Sequence, residues 1–149
     1  METIELLKIT RDKTLAFYDL PESDLDKSYG PGKWSIRQIL NHLADTEIVL
    51  NERIRRAIAE LHPFVVVFDQ ERWSEQLDYN TYPLAISKAV FAAVRTSIIY
   101  LAEKHYAGSE QKTFFHTAAG IRSLQQEFDK VAQHNFDHIK QIEIALASS

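Results

Sequence analysis

The amino-acid sequence predicts an all-α chain folded as a four-helix bundle, with a long crossover between its second and third helices. Three observations carry that prediction. Apolar residues recur at threes and fours over four long stretches, the spacing of a helix with one buried face. Two of those stretches open on a Ser followed three residues later by a Gln, Ser35 with Gln38 and Ser123 with Gln126, a capping-box spacing that satisfies orphan donors at a helix start. Only four Gly and four Pro occur, widely scattered, which leaves no flexible linker. Amphipathic helices in this number bury their stripes against one another, and the result is a bundle.

The first helix is expected over residues 2–19, with Ile4, Leu7, Leu15 and Tyr18 on one side. Leu20-Pro21 ends it, because a residue before proline is driven out of the α region. The turn-rich "SYGPGKW" leads into the second helix, which Ser35 caps and along which Ile36, Ile39, Leu40, Leu43, Leu50, Ile54, Ile58 and Leu61 form the stripe. Pro63 is expected to halt it after roughly 26 residues, about 40 Å of helix. Residues 63–82 read as the crossover, with "FVVVF" extended and "DQERWSEQL" a short helix capped by Asp69. That is too long for a tight hairpin and fits a bundle whose neighbours are not all antiparallel. The third helix starts near Pro83, where a missing N–H is harmless, and runs to Gly108, a plausible terminator. The fourth starts at Ser123 and presents Leu124, Phe128, Val131, Asn135, His138, Ile142 and Ala145 on its inner face.

With 149 residues, 45% hydrophobic and 26% charged, the chain reads as one globular domain over 1–149 with a sizeable core. "METIELLKITRDK" lacks the apolar run of a signal peptide, and no stretch is read as a membrane span. The absence of cysteine excludes disulfides and thiolate nucleophiles and fits a reducing cytoplasm. Net charge is −4. The densest basic cluster, "RIRR" at 53–56, is flanked by Glu52 and Glu60 and reads as a solvated helix face, so neither nucleic acid nor membrane is expected as a partner.

Chemistry is concentrated in the histidines. His134 and His138 stand four apart in "VAQHNFDHIKQIE", one helical turn above each other and able to share an ion. His138 lies on the apolar stripe and His134 borders it. His42, in "ILNHLADTE", edges the stripe of the second helix, and antiparallel packing of the second and fourth helices would bring the three to similar heights. Three imidazoles suit a catalytic zinc site with an open position, and nickel, iron or copper also accept imidazole. A hydrogen-bonded set of core histidines is the competing reading. His62 reads as solvated, His105 as a cap on the third helix's C-terminal dipole, and His116, in "FFHTAAG", as a surface loop residue.

"PGKWSIRQILNHLADTE" resembles the signature of the DinB-like superfamily, and especially its YfiT-like branch of metal-dependent hydrolases and thiol transferases. Trp34, Gln38, His42 and Asp45 match its "QxxxHLAD" pattern with the preceding Trp, and His134, His138, Gln141 and Ile142 match its terminal His-x-x-x-His followed by Gln-Ile. The crossover, with Trp73, is similar as well. The resemblance spans about 30–143 and implies a bundle holding a divalent cation, nickel or zinc, on His42, His134 and His138. Asp137 stands where many members carry a further His. The resemblance further implies a small-molecule substrate, in some members a low-molecular-weight thiol such as bacillithiol or mycothiol. The nucleophile would then be a water or thiol activated by the cation, with no catalytic side chain assigned. Asp45 and Gln141, each three residues from a ligand histidine, are candidates to orient the imidazoles. Arg53 is a candidate anchor for an anionic co-substrate, against an exposed, salt-bridged arginine. The leading expectation is a metal-dependent transferase or hydrolase in the cytoplasm, with a homodimer among the expected assemblies. The alternative is a non-catalytic bundle, stabilised by the metal, that binds a ligand or protein partner.

Overall fold

The computed structural model describes residues 2–148. Six helices follow in order as α1 (Glu2–Phe17), α2 (Glu22–Leu25), α3 (Ile36–Ala59), α4 (Gln70–Gln76), α5 (Leu84–His105) and α6 (Leu124–Ala147). The four long ones, α1, α3, α5 and α6, form the bundle. Around it α1 packs on α5, α5 on α3, α3 on α6 and α6 on α1. Contacts along the helices give their directions. Asn41 meets Ser87, Glu47 meets Arg95 and Arg55 meets Ser97, so α3 and α5 run parallel. The long crossover is what permits this. Ile36, Ile39 and Leu40 share one core cluster with Ile142 and Ala145, while Ile54 and Ala57 share another with Leu124 and Phe128. The helices α3 and α6 are therefore antiparallel.

Both expected capping boxes form. Ser35 Oγ accepts from the Gln38 N–H at 3.2 Å while Gln38 Oε1 accepts from the Ser35 N–H at 2.9 Å, and Ser123 with Gln126 repeat the pattern. Each box satisfies two orphan donors and fixes where its helix begins. That sets the height of every side chain along α3 and α6.

Three boundaries differ from expectation. The first helix stops at Phe17, and the short α2 follows Pro21. Tyr18 lies beyond the helix but is buried, its hydroxyl donating to the Leu40 carbonyl at 2.6 Å. The second long helix ends at Ala59, because Glu60 is already extended (φ −108°, ψ 155°). Leu61 therefore leaves the stripe and is 93% exposed. The third ends at His105, with Gly108 beyond it in the left-handed region (φ 80°), where lack of a Cβ removes the strain.

A small sheet joins the helical architecture. Strand β1 (Phe64–Val65) pairs in parallel with β2 (Thr113–His116), which forms an antiparallel hairpin with β3 (Gly120–Ser123). It ties the crossover to the segment before α6 and closes one end of the bundle over α3.

Leu84–His105 corrects the expectation that no stretch matches a membrane span. It has 22 residues and a mean hydropathy of 1.5 in its most apolar window. Here it packs between α1 and α3, and its middle carries the ion-paired Arg95.

The core divides into two apolar halves, one around Leu7, Ile54, Ile98 and Phe128, the other around Ile39, Leu43, Phe91 and Ile142. Between them runs a polar layer. Arg95, fully buried, donates through Nε and Nη2 to both carboxylate oxygens of Glu47 at 2.9 and 2.6 Å. Its Nη1 donates to the Leu7 carbonyl and to Thr10 Oγ1, and Nη2 also reaches Asn135 Oδ1. Such a pair is tolerable in a low-dielectric core only because both charges are matched and hydrogen-bonded. The candidate site lies at this level.

Candidate metal centre

His42 projects from the second turn of α3, and His134 and His138 project from the middle of α6. Antiparallel packing brings their Nε2 atoms together. His42 Nε2 lies 3.2 Å from His134 Nε2, and His138 Nε2 lies 3.1 Å from the same atom. All three ligand nitrogens fall within 4.8 Å of one another. A tetrahedral zinc ion with Zn–N bonds of about 2.0–2.1 Å holds its ligand nitrogens about 3.3–3.4 Å apart. The two short edges approach that spacing, and the His42–His138 edge stays within 4.8 Å.

Protonation points the same way. Burial, reinforced by its two histidine neighbours, pushes His42 down to about 2. Burial and then His138 push His134 down to about 3. His138 is also lowered by burial, with the Gln141 hydrogen bond opposing. All three rings are neutral at neutral pH and keep lone pairs. Gln141 Oε1 lies 2.8 Å from His138 Nδ1. An amide oxygen only accepts, so the His138 proton sits on Nδ1 and Nε2 faces its neighbours as a lone pair. One proton on His134 Nε2 can serve only one of its two neighbouring rings, whereas a shared cation satisfies all three nitrogens. The chemistry of the donor set therefore fits a divalent ion on His42, His134 and His138.

Thr46 Oγ1, one turn on from His42, donates to the His42 carbonyl at 2.9 Å and lies 3.3 Å from His42 Nε2. His42 Nδ1 is buried without a partner among the described residues. Aromatic rings cover this ligand. Trp34 lies 4.8 Å from it centroid to centroid, Phe68 stacks on it at 6.1 Å, and Trp73 packs edge-on against Phe68 at 4.7 Å. The crossover thus supplies a dry wall for the site.

A cleft of about 200 Å³ opens beside the imidazoles, lined by His42 and His134 together with Arg53, Phe68, His116 and Lys130. A larger cleft of about 570 Å³ continues outward past Arg53 between α3 and the crossover.

The other expected site residues lie apart from one another. Asp45 is half-buried and accepts a hydrogen bond from the Tyr79 hydroxyl; its described partner is the crossover and not an imidazole. Arg53 departs from the exposed, salt-bridged reading. It is 2% exposed and donates through Nη2 to the Val66 carbonyl at 2.8 Å. Arg55 and Arg56 are the exposed members of the basic run, Arg55 donating to Ser97 and Arg56 paired with Glu52 and Glu60. His116 departs from the surface reading: it is 6% exposed and sits in β2 on the inward side shared with Phe114.

Sequence reasoning missed Lys130, Thr46 and Phe68 as neighbours of the imidazoles. Lys130 and Thr46 carried a signal, each four residues from a histidine on the same helix and so on its face. Phe68 and His116 carried none, since the crossover and the sheet bring them in.

A bundle with three neutral imidazoles converging from two antiparallel helices defines a class of metal-binding helical proteins. Residues 6–142 match the family model of the DinB superfamily, and the chain belongs to that superfamily. It is 31% identical over 130 residues to an Oceanobacillus iheyensis protein named "Putative metal-dependent hydrolase OB0413", covering 87% of this chain and 75% of the relative. A second protein of that organism, with the same form of name, is 32% identical over 124 residues, covering 83% and 72%. Among solved structures, the fold matches YfiT from Bacillus subtilis, described as a probable metal-dependent hydrolase with an unusual four-helix bundle topology. The TM-score is 0.86 at 24% identity, over 97% of this chain and 85% of that one.

Proposed function

We infer that the protein is a metal-dependent hydrolase acting on a small molecule, with a divalent cation, zinc or nickel, held by His42, His134 and His138. The convergence of three neutral Nε2 atoms, with His42 and His134 lining a cleft, carries this reading. The names of the relatives support hydrolysis as the reaction class. A bound cation of this kind supplies Lewis acidity, lowering the pKa of a water or a thiol at an open coordination position. The chain's own residues do the rest. Gln141 accepts the Nδ1 proton of His138 and keeps its Nε2 free for the ion. Phe68 and Trp34 exclude water from the His42 side, which strengthens electrostatic interactions within the site. Arg53 faces the cleft with a charge suited to an anionic part of the substrate. The absence of cysteine supports a cytoplasmic setting.

The test starts from chelator-stripped protein. Zinc or nickel should bind at one equivalent and raise Tm, and the loaded protein should turn over ester or amide probes. His138→Ala should abolish tight binding and the Tm rise, and His105→Ala should leave both unchanged. Equal behaviour of the two variants would overturn the ligand assignment. Metal binding without hydrolysis, but with transfer of an added thiol to monochlorobimane, would move the reaction to S-transfer at the same site. Tight binding with neither activity would leave a metal-stabilised bundle.

A further inference from the structure

The cleft beside the imidazoles holds three groups the hydrolytic reading does not use as ligands. Arg53 is the first. Its guanidinium is buried, its Nη2 donates to Val66, and its Nε has no partner among the described residues. A buried charged donor left unmet is costly, and native structures seldom leave one without an occupant.

His116 is the second. Its Nδ1 accepts from the backbone N–H groups of Ala118 and Ala119 at 3.0 and 2.9 Å. An acceptor nitrogen carries no proton, so the proton of the neutral ring sits on Nε2. The hairpin turn between β2 and β3 thus fixes His116 as a donor in the cleft wall. Burial lowers its pKa, and Arg53 and Lys130 add to that effect, as expected for a ring among cations.

Lys130 is the third. It lies one helical turn before His134 and lines the same cleft, and among the described residues it forms no ion pair. The charges facing this corner come from several elements. Arg53 comes from α3, Lys130 from α6 and Arg122 from β3, and Glu127 from α6 opposes them. Glu127 Oε1 is already engaged by Arg122 Nε at 2.9 Å, while its Oε2 is buried without a partner. Glu52 on α3 also acts on Arg53 but is exposed and paired with Arg56, so three cations against the single buried carboxylate leave positive charge in excess.

We propose that Arg53, His116 and Lys130 form an oxyanion-binding subsite beside the three imidazoles, so that the substrate is a small acid bearing a carboxylate or phosphate group near its reacting bond. This rests on the hydrolase reading for its role and deepens it by naming the substrate class. The cleft of about 200 Å³ beside the imidazoles is sized for the anionic group and the reacting bond, and the larger cleft past Arg53 leaves room for the rest of the molecule. Arg53 offers an N–H, His116 a fixed neutral N–H and Lys130 a mobile ammonium, three donors suited to one oxyanion.

The experiment uses chelator-stripped protein at constant ionic strength, titrated calorimetrically with inorganic phosphate and separately with succinate. Binding of at least one of them at one equivalent is expected. Arg53→Gln and Lys130→Met should each weaken it tenfold or more. His116→Phe should weaken it several-fold, with His116→Gln, which retains a donor, closer to the parent. Tighter succinate binding identifies a carboxylate substrate, and tighter phosphate binding a phosphoryl one. Lys130→Met keeps the test valid if Arg53→Gln unfolds, because Lys130 is half-buried and unpaired. No binding of either anion, or binding unchanged in Lys130→Met, would overturn the subsite, with Arg53 then serving only to hold Val66 and balance Glu127. Zinc titration of the same variants separates the two readings. Anion binding without zinc binding removes the metal centre alone, and zinc binding without anion binding removes the subsite alone.

Discussion

Arg95 Nη2 donates to Asn135 Oδ1 at 2.7 Å, and Asn135 is the residue next to His134. The same guanidinium grips Glu47 on α3, five residues beyond His42, and Leu7 and Thr10 on α1. Asn135 in turn donates to Thr14 at 2.9 Å. One side chain from α5 therefore ties together all four long helices at the level of the imidazoles. The two helices that carry the ligands are thus held in register through Arg95, by its ion pair to Glu47 on α3 and its hydrogen bond to Asn135 on α6, in addition to their apolar packing. Side chains meant to meet within a few tenths of an ångström need such support.

Replacing one half of this pair should be severe. Arg95→Met leaves the Glu47 carboxylate buried without a counter-charge, and breaking a buried pair this way costs about 3–5 kcal/mol. Against a total stability of roughly 5–15 kcal/mol for a typical domain, the single variant should unfold at far lower urea than the parent. The double variant Glu47→Leu with Arg95→Met should recover most of that loss, because no lone charge remains. Urea midpoints for the four proteins of the cycle check this. Equal destabilisation by the double and single variants would show that the network, not the uncompensated charge, governs stability.

The two polar residues placed next to the ligand histidines by sequence should separate in their effects on metal. Gln141 touches His138 Nδ1, and loss of such a partner typically weakens metal affinity 10- to 100-fold. Asp45 instead accepts from Tyr79. Gln141→Leu should therefore lower zinc affinity by about tenfold or more, while Asp45→Asn should leave it nearly unchanged. Tyr79→Phe should cost about 1–2 kcal/mol of stability by removing one of the bonds that hold the crossover to α3, with those from Asn41 to the Tyr79 and Tyr82 carbonyls remaining. Competition titration with a chromogenic chelator, alongside urea melts, reads both quantities.

Helix starts and apolar stripes were readable because they depend on local spacing. Ser35 with Gln38 and Ser123 with Gln126 announce their caps within four residues. The stripe from Ile36 to Ile54 is buried along its whole length. The sheet was not readable. Strand β1 has two residues, and its partner lies some fifty positions away, so no periodicity accumulates and pairing depends on the finished bundle. Arg53 shows a misread local signal. Its charge and its glutamate neighbours argued for solvent, yet it stands three residues after Leu50 and four before Ala57, both buried, and so on the inner face.

The convergence of His42 with His134 and His138 was legible for a different reason. Two helices of known start, packed antiparallel, leave few ways to place side chains at equal height. The polar layer beneath them was less so. Glu47 and Arg95 each sit among apolar neighbours, but nothing in either helix says that one will meet the other. That pairing follows from the parallel run of α3 and α5, which only the crossover permits.

The final prediction concerns pH in the metal-free protein. Folding drops His42 to about 2 and His134 to about 3, from an unfolded value near 6.5. With the folded pKa depressed, the unfolded chain binds more protons between those limits, so stability rises with pH there and is lost as pH falls. Above about pH 6.5 the rings are neutral in both states and contribute no pH dependence. At pH 5 each should cost on the order of 2 kcal/mol, and His138, shifted in the same direction, adds to the loss. Urea midpoints of stripped protein should be flat between pH 7 and 8 and fall steeply from 6 to 5. His42→Gln should flatten that fall, because one of the rings that must charge on unfolding is gone. Zinc affinity should meanwhile depend only weakly on pH between 6 and 8, since the folded rings have no protons to release to the ion. A proton release clearly above one per zinc at pH 7, more than ionisation of a single metal-bound water supplies, measured calorimetrically in buffers of different ionisation enthalpy, would contradict the neutral, preformed site.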